Sequence, residues 1–250
     1  MIDLHCHLDL YENPLEVAQK ASRENIFTLA VTTSPRAWMG TSRVFKNIEN
    51  IEVALGLHPE IFAEKIKEIG LLIDNIKNTK FVGEVGIDGS VRYKATLQQQ
   101  TELFEKVVHE CEEQGGKVIS IHSRKAEQKV LDVISQYPKA GTPILHWFSG
   151  SMSQLQRAID LGCWFSGGPA MTQSENGINL LKAIPINRFL PESDGPFTQI
   201  SGKPIMPWQA AHVIRCVSKI KNLTEKEVDQ TLRSNLERLR SKLIGFKCLI

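Results

Sequence analysis

The sequence of 250 residues lacks the marks of a disulfide-bonded, membrane-spanning or secreted protein. Its five cysteines are scattered and odd in number, and no Cys-x-x-Cys pair occurs, which favours reduced thiols over a disulfide framework. No apolar run approaches the ~20 residues that a membrane-spanning helix needs, and early acidic and histidine residues do not match a signal peptide. The sequence therefore predicts a cytoplasmic protein that does not interact with membranes.

The chain also has no large excess of charge of either sign. Its formal net charge is +2, with 23% charged and 42% apolar residues, which is ordinary for a globular protein. This balance does not by itself indicate a nucleic-acid-binding protein, although a local basic patch would be enough for one. No linker, repeat or low-complexity segment interrupts the sequence, so we predict one domain over residues 1–250.

Short apolar segments rich in β-forming residues alternate with longer amphipathic segments. Strands are predicted at residues 2–8, 27–33, 51–57, 80–86, 117–123, 143–148, 163–168 and 188–194. Helices are predicted at residues 97–114, 123–137, 152–160 and 207–220. Eight strands with mainly helical connections indicate a (β/α)8 TIM barrel at its typical length of ~250 residues. A doubly wound open sheet is the alternative, because periodicity does not show that the sheet closes.

A further helical pattern covers residues 223–243, after the eighth predicted strand and its connection. Thr224 and Glu227 stand at the spacing of a capping box, in which each side chain bonds the other residue's backbone N–H. We therefore predict an extra C-terminal helix.

The first predicted strand, within MIDLHCHLDL, places two histidines two residues apart. Side chains alternate across a strand, so His5 and His7 share one side while Leu4 and Cys6 face the other. Two imidazoles that converge near the end of a barrel strand can hold one metal ion. The alternative is a pair of core histidines bonded to backbone carbonyls, which requires a partner for each buried ring.

Four more potential metal ligands stand at the carboxyl ends of apolar predicted strands, where barrel enzymes assemble their sites. They are Glu84 in GEVGID, His122 in VISIHSR, His146 in PILHWFSG and Asp194 in FLPESDGP. Together with the two N-terminal histidines, they suit a pair of divalent ions with a shared carboxylate. Mixed nitrogen and oxygen ligands favour Zn, Mn or Mg, and the imidazoles favour Zn or Mn at the tighter position.

The motifs around these residues resemble those of the TatD family of metal-dependent deoxyribonucleases, within the amidohydrolase-like barrels. The matching segments, in family order from residue 3 to residue 239, are DLHCHLD, GLHPE, GEVGID, IHSRKA, HWFSG, ESDGP and SNLERL. The compact length and the segments HWFSG and CWFSGGPAM are similar to the TatD-like component of Qat-type anti-phage defence systems. The resemblance thus implies DNA as substrate, a role in antiviral defence and protein partners in a defence complex.

The resemblance also implies a ligand set for each of two divalent ions. The first ion would be held by His5, His7, Glu84 and Asp194, and the second by Glu84, His122 and His146. Asp194 would orient the attacking hydroxide and accept its proton, and Glu84 would fix the metal separation, so these two are the predicted catalytic residues. Two departures are visible, since the family usually has a small residue in place of Trp147 and Thr in place of Ser193. Neither removes a ligand, but the ring of Trp147 changes the pocket beside the metals.

Substrate-binding residues are predicted on loops at the same end of the barrel. His58 would contact phosphate or sugar, and Arg124 would clamp phosphate, because a guanidinium offers a planar fork to phosphate oxygens. Trp147 and Phe148 would stack on a base. The alternatives are a turn role for His58, a solvated charge for Arg124 and packing for the two aromatic residues.

Asp3 is predicted to support the metal ligands, because a carboxylate that accepts the far N–H of a ligand histidine fixes its tautomer. A plain role at the start of the strand is the alternative for Asp3. For Asp9 and Asp88, turn or salt-bridge roles are at least as well supported.

Three hypotheses for function follow. The leading one is a deoxyribonuclease that cleaves single-stranded or end-presented DNA with a two-metal-activated water, because a barrel mouth is a pocket and not a duplex groove. The second is an amidohydrolase-like enzyme acting on a small amide, lactone or phosphoester, because the same barrel and metals serve many chemistries. The third, from another class, is a metal-stabilised binding subunit of a defence assembly.

Overall fold

The computed structural model describes residues 1–242, and its framework is a set of eight parallel strands connected by helices. The strands are Ile2–Cys6 (β1), Phe27–Val31 (β2), Ile51–Ala54 (β3), Phe81–Gly86 (β4), Lys117–His122 (β5), Gly141–His146 (β6), Trp164–Gly167 (β7) and Phe189–Pro191 (β8). Each overlaps one predicted strand. Most are shorter than predicted, because the last residues of the predicted segments leave the sheet and begin the loops that carry polar side chains.

Strands that follow one another along the chain also lie side by side, β1 to β3 in one parallel sheet and β4 to β8 in another. The hydrogen-bond ladder is interrupted between the two sheets, which meet at two seams. At one seam Leu55 pairs with Val82, and the Leu55 N–H donates to the Phe81 carbonyl at 3.0 Å. At the other seam the Asp194 N–H donates to the His5 carbonyl at 2.9 Å. This sequential order, with β8 beside β1, confirms the TIM barrel over a doubly wound sheet, in which the strand order reverses.

Helices connect the strands and cover their outer side. They are Pro14–Glu24 (α1), Pro35–Phe45 (α2), Phe62–Lys65 (α3), Ile69–Asn75 (α4), Leu97–Glu113 (α5), Glu127–Gln136 (α6), Met152–Asp160 (α7), Glu175–Ala183 (α8), His212–Lys221 (α9) and Glu225–Ser241 (α10). Two predicted helix starts are wrong. The helix predicted from residue 123 begins at Glu127, because Ser123 to Ala126 form a turn with Lys125 at a left-handed φ of 56°. The helix predicted from residue 207 begins at His212, after a single 3-10 turn over Pro207–Gln209.

Helix α10 confirms the predicted C-terminal helix and its capping box. The Thr224 hydroxyl accepts the Glu227 N–H at 3.2 Å, and the Glu227 carboxylate accepts the Thr224 N–H at 2.7 Å. Farther along α10, the buried amide of Asn235 donates to the carbonyls of Ile186 and Phe189, which fastens the helix to the start of β8. Leu243, the last residue of the predicted segment, lies outside the described residues.

The strands are buried along most of their length, as expected where helices cover the outside of a parallel barrel and side chains fill its interior. Every residue of β4 and β5 is buried, including Val82, Ile119 and Ile121. The connection after β8 carries a short exposed antiparallel hairpin, Gln199–Ile200 (β9) with Lys203–Pro204 (β10). Within residues 1–242, no helix is long and apolar enough to cross a membrane.

Candidate metal centre

The carboxylate of Glu84, in β4, lies at the centre of a buried polar cluster at the carboxyl end of the barrel. Glu84 is 1% exposed, and imidazoles approach both of its oxygen atoms. The preceding residue is Gly83, where a Cβ atom would lie only 2.8 Å from the Cβ of Ser120. Glycine at this position therefore lets β4 approach β5 closely beside Glu84.

One oxygen of this carboxylate, Oε2, faces the two histidines of the N-terminal motif. The Nε2 atoms of His5 and His7 each lie 3.2 Å from it. The Oδ1 atom of Asp194 lies 3.8 Å from His5 Nε2 and 4.0 Å from His7 Nε2. His7 stands one residue beyond β1, and its ring centroid is 5.4 Å from that of His5. The structure thus brings together the four side chains assigned to the first metal.

The other oxygen, Oε1 of Glu84, faces a second group of imidazoles. His122 Nδ1 lies 2.8 Å from it, His58 Nε2 3.1 Å and His146 Nε2 3.8 Å. The ring of His146 also stacks on that of His5, with a centroid distance of 3.8 Å. The structure therefore places both histidines assigned to the second metal at Oε1, and it adds His58.

Three of the predicted ligand histidines have a polar partner at the ring nitrogen that faces away from Glu84. The pairs are His5 Nδ1 with Ser120 Oγ at 2.8 Å, His122 Nε2 with Asp88 Oδ2 at 2.8 Å, and His146 Nδ1 with Glu192 Oε2 at 3.2 Å. The last pair is an ion-pair contact whose atoms are not aligned for a hydrogen bond. Partners of this kind fix the orientation of a metal-binding imidazole and leave its other nitrogen for the metal.

Sequence reasoning missed Ser120 and Glu192, although a signal for both was present. Ser120 stands two residues before His122, and Glu192 two residues before Asp194, so strand alternation places each on the same face as a ligand. The turn role predicted for Asp88 is present, since its Oδ1 accepts the Ser90 N–H at 2.8 Å. The other carboxylate oxygen of Asp88, Oδ2, contacts the imidazole of His122.

The imidazole of His58 is oriented by a backbone hydrogen bond. Its Nδ1 atom accepts the Glu60 N–H at 3.1 Å, at the start of a short 3-10 turn. Because Nδ1 is the acceptor, the neutral ring carries its proton on Nε2, the atom 3.1 Å from Glu84 Oε1. His58, Glu84 and His122 are close enough to share an ion. A protonated nitrogen cannot ligate a metal, so this tautomer makes His58 a hydrogen-bond donor at the centre.

Asp3 supports the centre through the backbone and not through an imidazole ring. Its Oδ1 accepts the His5 N–H at 3.2 Å and the Ser193 N–H at 2.9 Å, and its Oδ2 accepts the Ser193 hydroxyl at 2.6 Å. Burial raises the pKa of Asp3 to about 8, although these three hydrogen bonds act in the opposite direction. Asp3 thus ties β1 to the residue before Asp194.

The buried groups shift one another's pKa values strongly. Burial alone would raise the pKa of the Glu84 carboxyl, but His58 and His5 outweigh it and hold that pKa well below its usual range. Burial raises the pKa of Asp194 to about 7, although neighbouring imidazoles act against it. Burial would lower the pKa of His146, but the Glu192 carboxylate outweighs this and raises it to about 10. Glu84 therefore stays ionised at the centre of the cluster.

The donor set suits a divalent metal ion. His5 Nε2 is buried and has no hydrogen-bond partner within residues 1–242, although oxygens of Glu84 and Asp194 lie 3.2 and 3.8 Å away. Donor atoms around a tetrahedral ion with bonds of ~2.1 Å are about 3.4 Å apart, which is close to these separations. An ion would also offset the charge of buried carboxylates, which is costly without a partner. Imidazole and carboxylate donors together are compatible with Zn, Mn or Mg.

A pocket of about 450 Å³ opens above this cluster and is lined by most of the predicted substrate-binding residues. Arg124 lies at its rim with an exposed side chain. Trp147 lines the pocket at 39% exposure, and so does Phe197 at 61%. The prediction that Phe148 stacks on a base is wrong, because this ring is 1% exposed and packs against Phe165 in the core. Phe197 is not among the residues that the sequence predicts to stack on a base.

The backbone at Trp147 adopts an uncommon conformation. Its φ is +37°, in the left-handed region that costs a bulky side chain about 1–3 kcal/mol. The Trp147 N–H is shared between the Ser166 carbonyl and Glu192 Oε1, each at 3.2 Å. Glu192 thus contacts both the imidazole of His146 and the backbone of Trp147, which fixes how the chain leaves β6.

Comparison with known proteins agrees with this arrangement. A family model described as TatD related DNase matches residues 2–241. The chain belongs to this family. Human deoxyribonuclease TATDN3 is 24% identical, over 97% of this chain and 95% of its own length. An Escherichia coli protein named uncharacterized metal-dependent hydrolase YjjV is 25% identical, over 94% of this chain and 95% of its own length.

Solved structures of low identity share the fold of this TatD-family chain. The crystal structure of YjjV, a TatD homolog from Escherichia coli, superposes with a TM-score of 0.85 at 22% identity and covers 96% of this chain and 97% of that chain. An uncharacterized amidohydrolase from Saccharomyces cerevisiae gives 0.74 at 14% identity, over 95% and 99% of the two chains. Family membership and the buried donor cluster together identify a TatD-like metal-dependent hydrolase.

Proposed function

We propose that this TatD-family hydrolase is a deoxyribonuclease that cleaves phosphodiester bonds of single-stranded or end-presented DNA at two divalent ions. The observation that carries the proposal is the placement of Glu84 between two groups of ligands. Its Oε2 atom faces His5 and His7 at 3.2 Å, and its Oε1 atom faces His122 at 2.8 Å. A carboxylate in this position can bridge two ions. The pocket of about 450 Å³ above it supports a strand end as substrate, because a barrel mouth is a pocket and not a duplex groove.

The residues divide the work of hydrolysis. Divalent ions held by His5, His7, Glu84 and Asp194 and by Glu84, His122 and His146 would supply an activated water and offset charge on the phosphoryl group. Asp194, whose Oδ1 lies beside the first ligand group, would orient the attacking water, accept its proton and return that proton to the leaving oxygen as its bond to phosphorus breaks. His58 donates its Nε2–H to a phosphoryl oxygen, and Arg124 holds the neighbouring phosphate at the rim. Glu84 keeps the two ligand groups at a fixed separation.

The pocket volume favours a second candidate. About 450 Å³ is within the range of sites for small molecules, so hydrolysis of a small amide, lactone or phosphoester is the competing activity. A labelled single-stranded oligonucleotide, tested beside a panel of small esters and amides with Mg²⁺, Mn²⁺ or Zn²⁺, separates the two. We expect release of nucleotides. Cleavage of a small substrate without any nucleotide release would overturn the nuclease proposal.

The Glu84→Ala variant tests the bridging role. We expect this variant to have no turnover and to contain at least one metal ion fewer than the wild type in elemental analysis. The control Glu12→Ala, at an exposed residue, should keep the wild-type turnover and metal content. A variant that retains both metals and the wild-type rate would show that the bridging assignment is wrong.

The biological setting completes the proposal. We propose a cytoplasmic enzyme that acts in antiviral defence with protein partners, as its similarity to the Qat-associated TatD-like component implies. The third hypothesis, a metal-stabilised binding subunit, predicts that a variant without metal ligands keeps full antiviral protection. The nuclease proposal predicts that Glu84→Ala abolishes protection in cells challenged with phage.

A further inference from the structure

We propose that Trp147 and Phe197 form a stacking site for nucleobases, with one ring beside each of the two ligand groups of the metal centre. The inference rests on the proposed nuclease function, and it names the part of the substrate that the pocket recognises. The ligand class is a planar aromatic base on either side of the cleaved phosphate.

Both rings are exposed in a molecule that buries most of its large apolar side chains. Trp147 and Phe197 line the same pocket at 39% and 61% exposure. Other aromatic residues at the strand ends are buried, and the neighbouring Phe148 is an example. An exposed ring inside a pocket offers a flat apolar surface to a planar ligand.

The two rings adjoin different parts of the metal centre. Phe197 packs edge to face against His7, at a centroid distance of 4.9 Å and an angle of 79°. Trp147 packs in the same way against His146, at 6.5 Å and 80°. His7 belongs to the group at Glu84 Oε2, and His146 to the group at Oε1. A phosphodiester held across the two ligand groups has one nucleoside on each side of its phosphate. One base would then lie near Phe197 and the other near Trp147.

The backbone that carries the Trp147 ring is held in place by its surroundings. Its backbone is held at a left-handed φ of +37° by an N–H shared between Ser166 and Glu192. Glu192 also contacts His146, so one carboxylate holds both the backbone of Trp147 and the imidazole beside it. A surface aromatic residue without a binding role does not require such an arrangement.

The test compares a labelled, nuclease-resistant phosphorothioate strand with the same strand lacking its bases, by fluorescence anisotropy on the metal-loaded protein. We expect Trp147→Ala and Phe197→Ala each to weaken binding of the base-bearing strand about 5- to 150-fold. Binding of the abasic strand should not change. Trp147→Phe keeps a ring and should retain most of the affinity, which separates lost stacking from misfolding.

Met152→Ala is the matched control, because Met152 is 53% exposed on the same connection after β6 but does not line the pocket. It should bind both strands as the wild type does. Tryptophan fluorescence should also decrease when the base-bearing strand binds the wild type, and this decrease should be smaller in Trp147→Phe.

Two outcomes would overturn the stacking site. Either the variants bind the base-bearing strand like the wild type, or they lose the same affinity for both strands. If the wild type cleaves unmodified DNA while either outcome holds, the nuclease function stands and the stacking site is wrong. If the wild type neither binds nor cleaves DNA, the proposed function fails and the stacking site with it.

Discussion

Glu192 lies behind His146, with its Oε2 atom 3.2 Å from Nδ1 of the imidazole, and neither residue is open to solvent. The carboxylate therefore faces the ring nitrogen opposite to the one that points at Glu84. The other oxygen of Glu192, Oε1, accepts the Trp147 N–H, so both carboxylate oxygens are in use. Glutamine keeps only one oxygen for these two places, and Glu192→Gln should therefore disturb the orientation and basicity of His146. We expect the affinity for the metal at Oε1 to fall about 10- to 100-fold, measured by calorimetric titration.

A matched control for this variant is Glu127→Gln. Glu127 is also a buried glutamate, but its carboxylate bonds the Ser149 hydroxyl and not an imidazole. The Glu127→Gln variant should therefore bind metal with the wild-type affinity. Equal affinities in wild type and Glu192→Gln would show that Glu192 only holds the backbone of Trp147.

The hydrogen bonds between Asp3 and Ser193 predict a second effect. Ser193→Ala removes the hydroxyl that Asp3 Oδ2 accepts and leaves that buried oxygen without its partner. We expect the free energy of unfolding to fall by about 1–3 kcal/mol, together with weaker metal binding beside Asp194. Denaturant titration measures the first effect and calorimetry the second. Ser193→Thr keeps the hydroxyl and should stay close to the wild type, whereas an unaltered Ser193→Ala would contradict a supporting role for Asp3.

The barrel and the position of its polar residues could be predicted from the sequence, because both depend on local periodicity. Strand alternation places His5 and His7 on one side, and a parallel barrel brings the carboxyl ends of its strands together. Glu84 and Asp194 come from strands far apart in sequence, yet both lie at that end. The strand pattern was therefore sufficient to predict that these ligand residues lie close together.

The parts that failed depend on backbone paths that periodicity does not describe. Phe148 and Trp147 follow the same strand, and only the left-handed turn at Trp147 decides that one ring faces the core and the other the pocket. Helix α6 begins late because of the similar turn at Lys125. The approach of His58 to Glu84 depends on the loop after β3, whose course is set by tertiary contacts.

Removal of the metal should destabilise the protein. The predicted metal ligands lie around the buried carboxylate of Glu84 only when the protein is folded. An ion that binds there stabilises the folded state by mass action. Dialysis against a chelator should lower the melting temperature, and metal added at 100 times its dissociation constant should restore about 2.7 kcal/mol of stability. The Glu84→Ala variant should respond less to the same addition. Identical melting curves with and without metal would contradict a metal site in the folded protein.

Arg124 should contribute one phosphate contact. Its exposed guanidinium lines the pocket, and each phosphate contact to a single strand contributes about 0.7 to the slope of log K against log salt. Arg124→Ala should weaken binding of single-stranded DNA and reduce the magnitude of this slope by about 0.7. Lys129→Ala, an exposed change on α6 outside the pocket lining, should leave the slope unchanged. If both variants give the wild-type slope, Arg124 is a solvated surface charge.

The tautomer of His58 leads to the last prediction. Because Nδ1 accepts the Glu60 N–H, the Nε2–H points at the centre and donates to a phosphoryl oxygen when substrate is bound. His58→Ala should lower kcat about 100-fold or more, the usual effect of losing one such donor, while both metal ions remain. His58→Gln offers an amide N–H at a similar distance from the backbone and should recover part of the rate.

Metal content distinguishes this role from direct ligation. If His58 bound an ion through Nε2, both variants would lose one metal in elemental analysis, and added metal would restore part of their activity. A donor acts differently, since its loss slows turnover at full metal occupancy and excess metal gives no recovery. Full occupancy with a rate that follows the order His, Gln, Ala would therefore establish His58 as the donor, and loss of metal from His58→Gln would assign it to the ligand set of Glu84 and His122 instead.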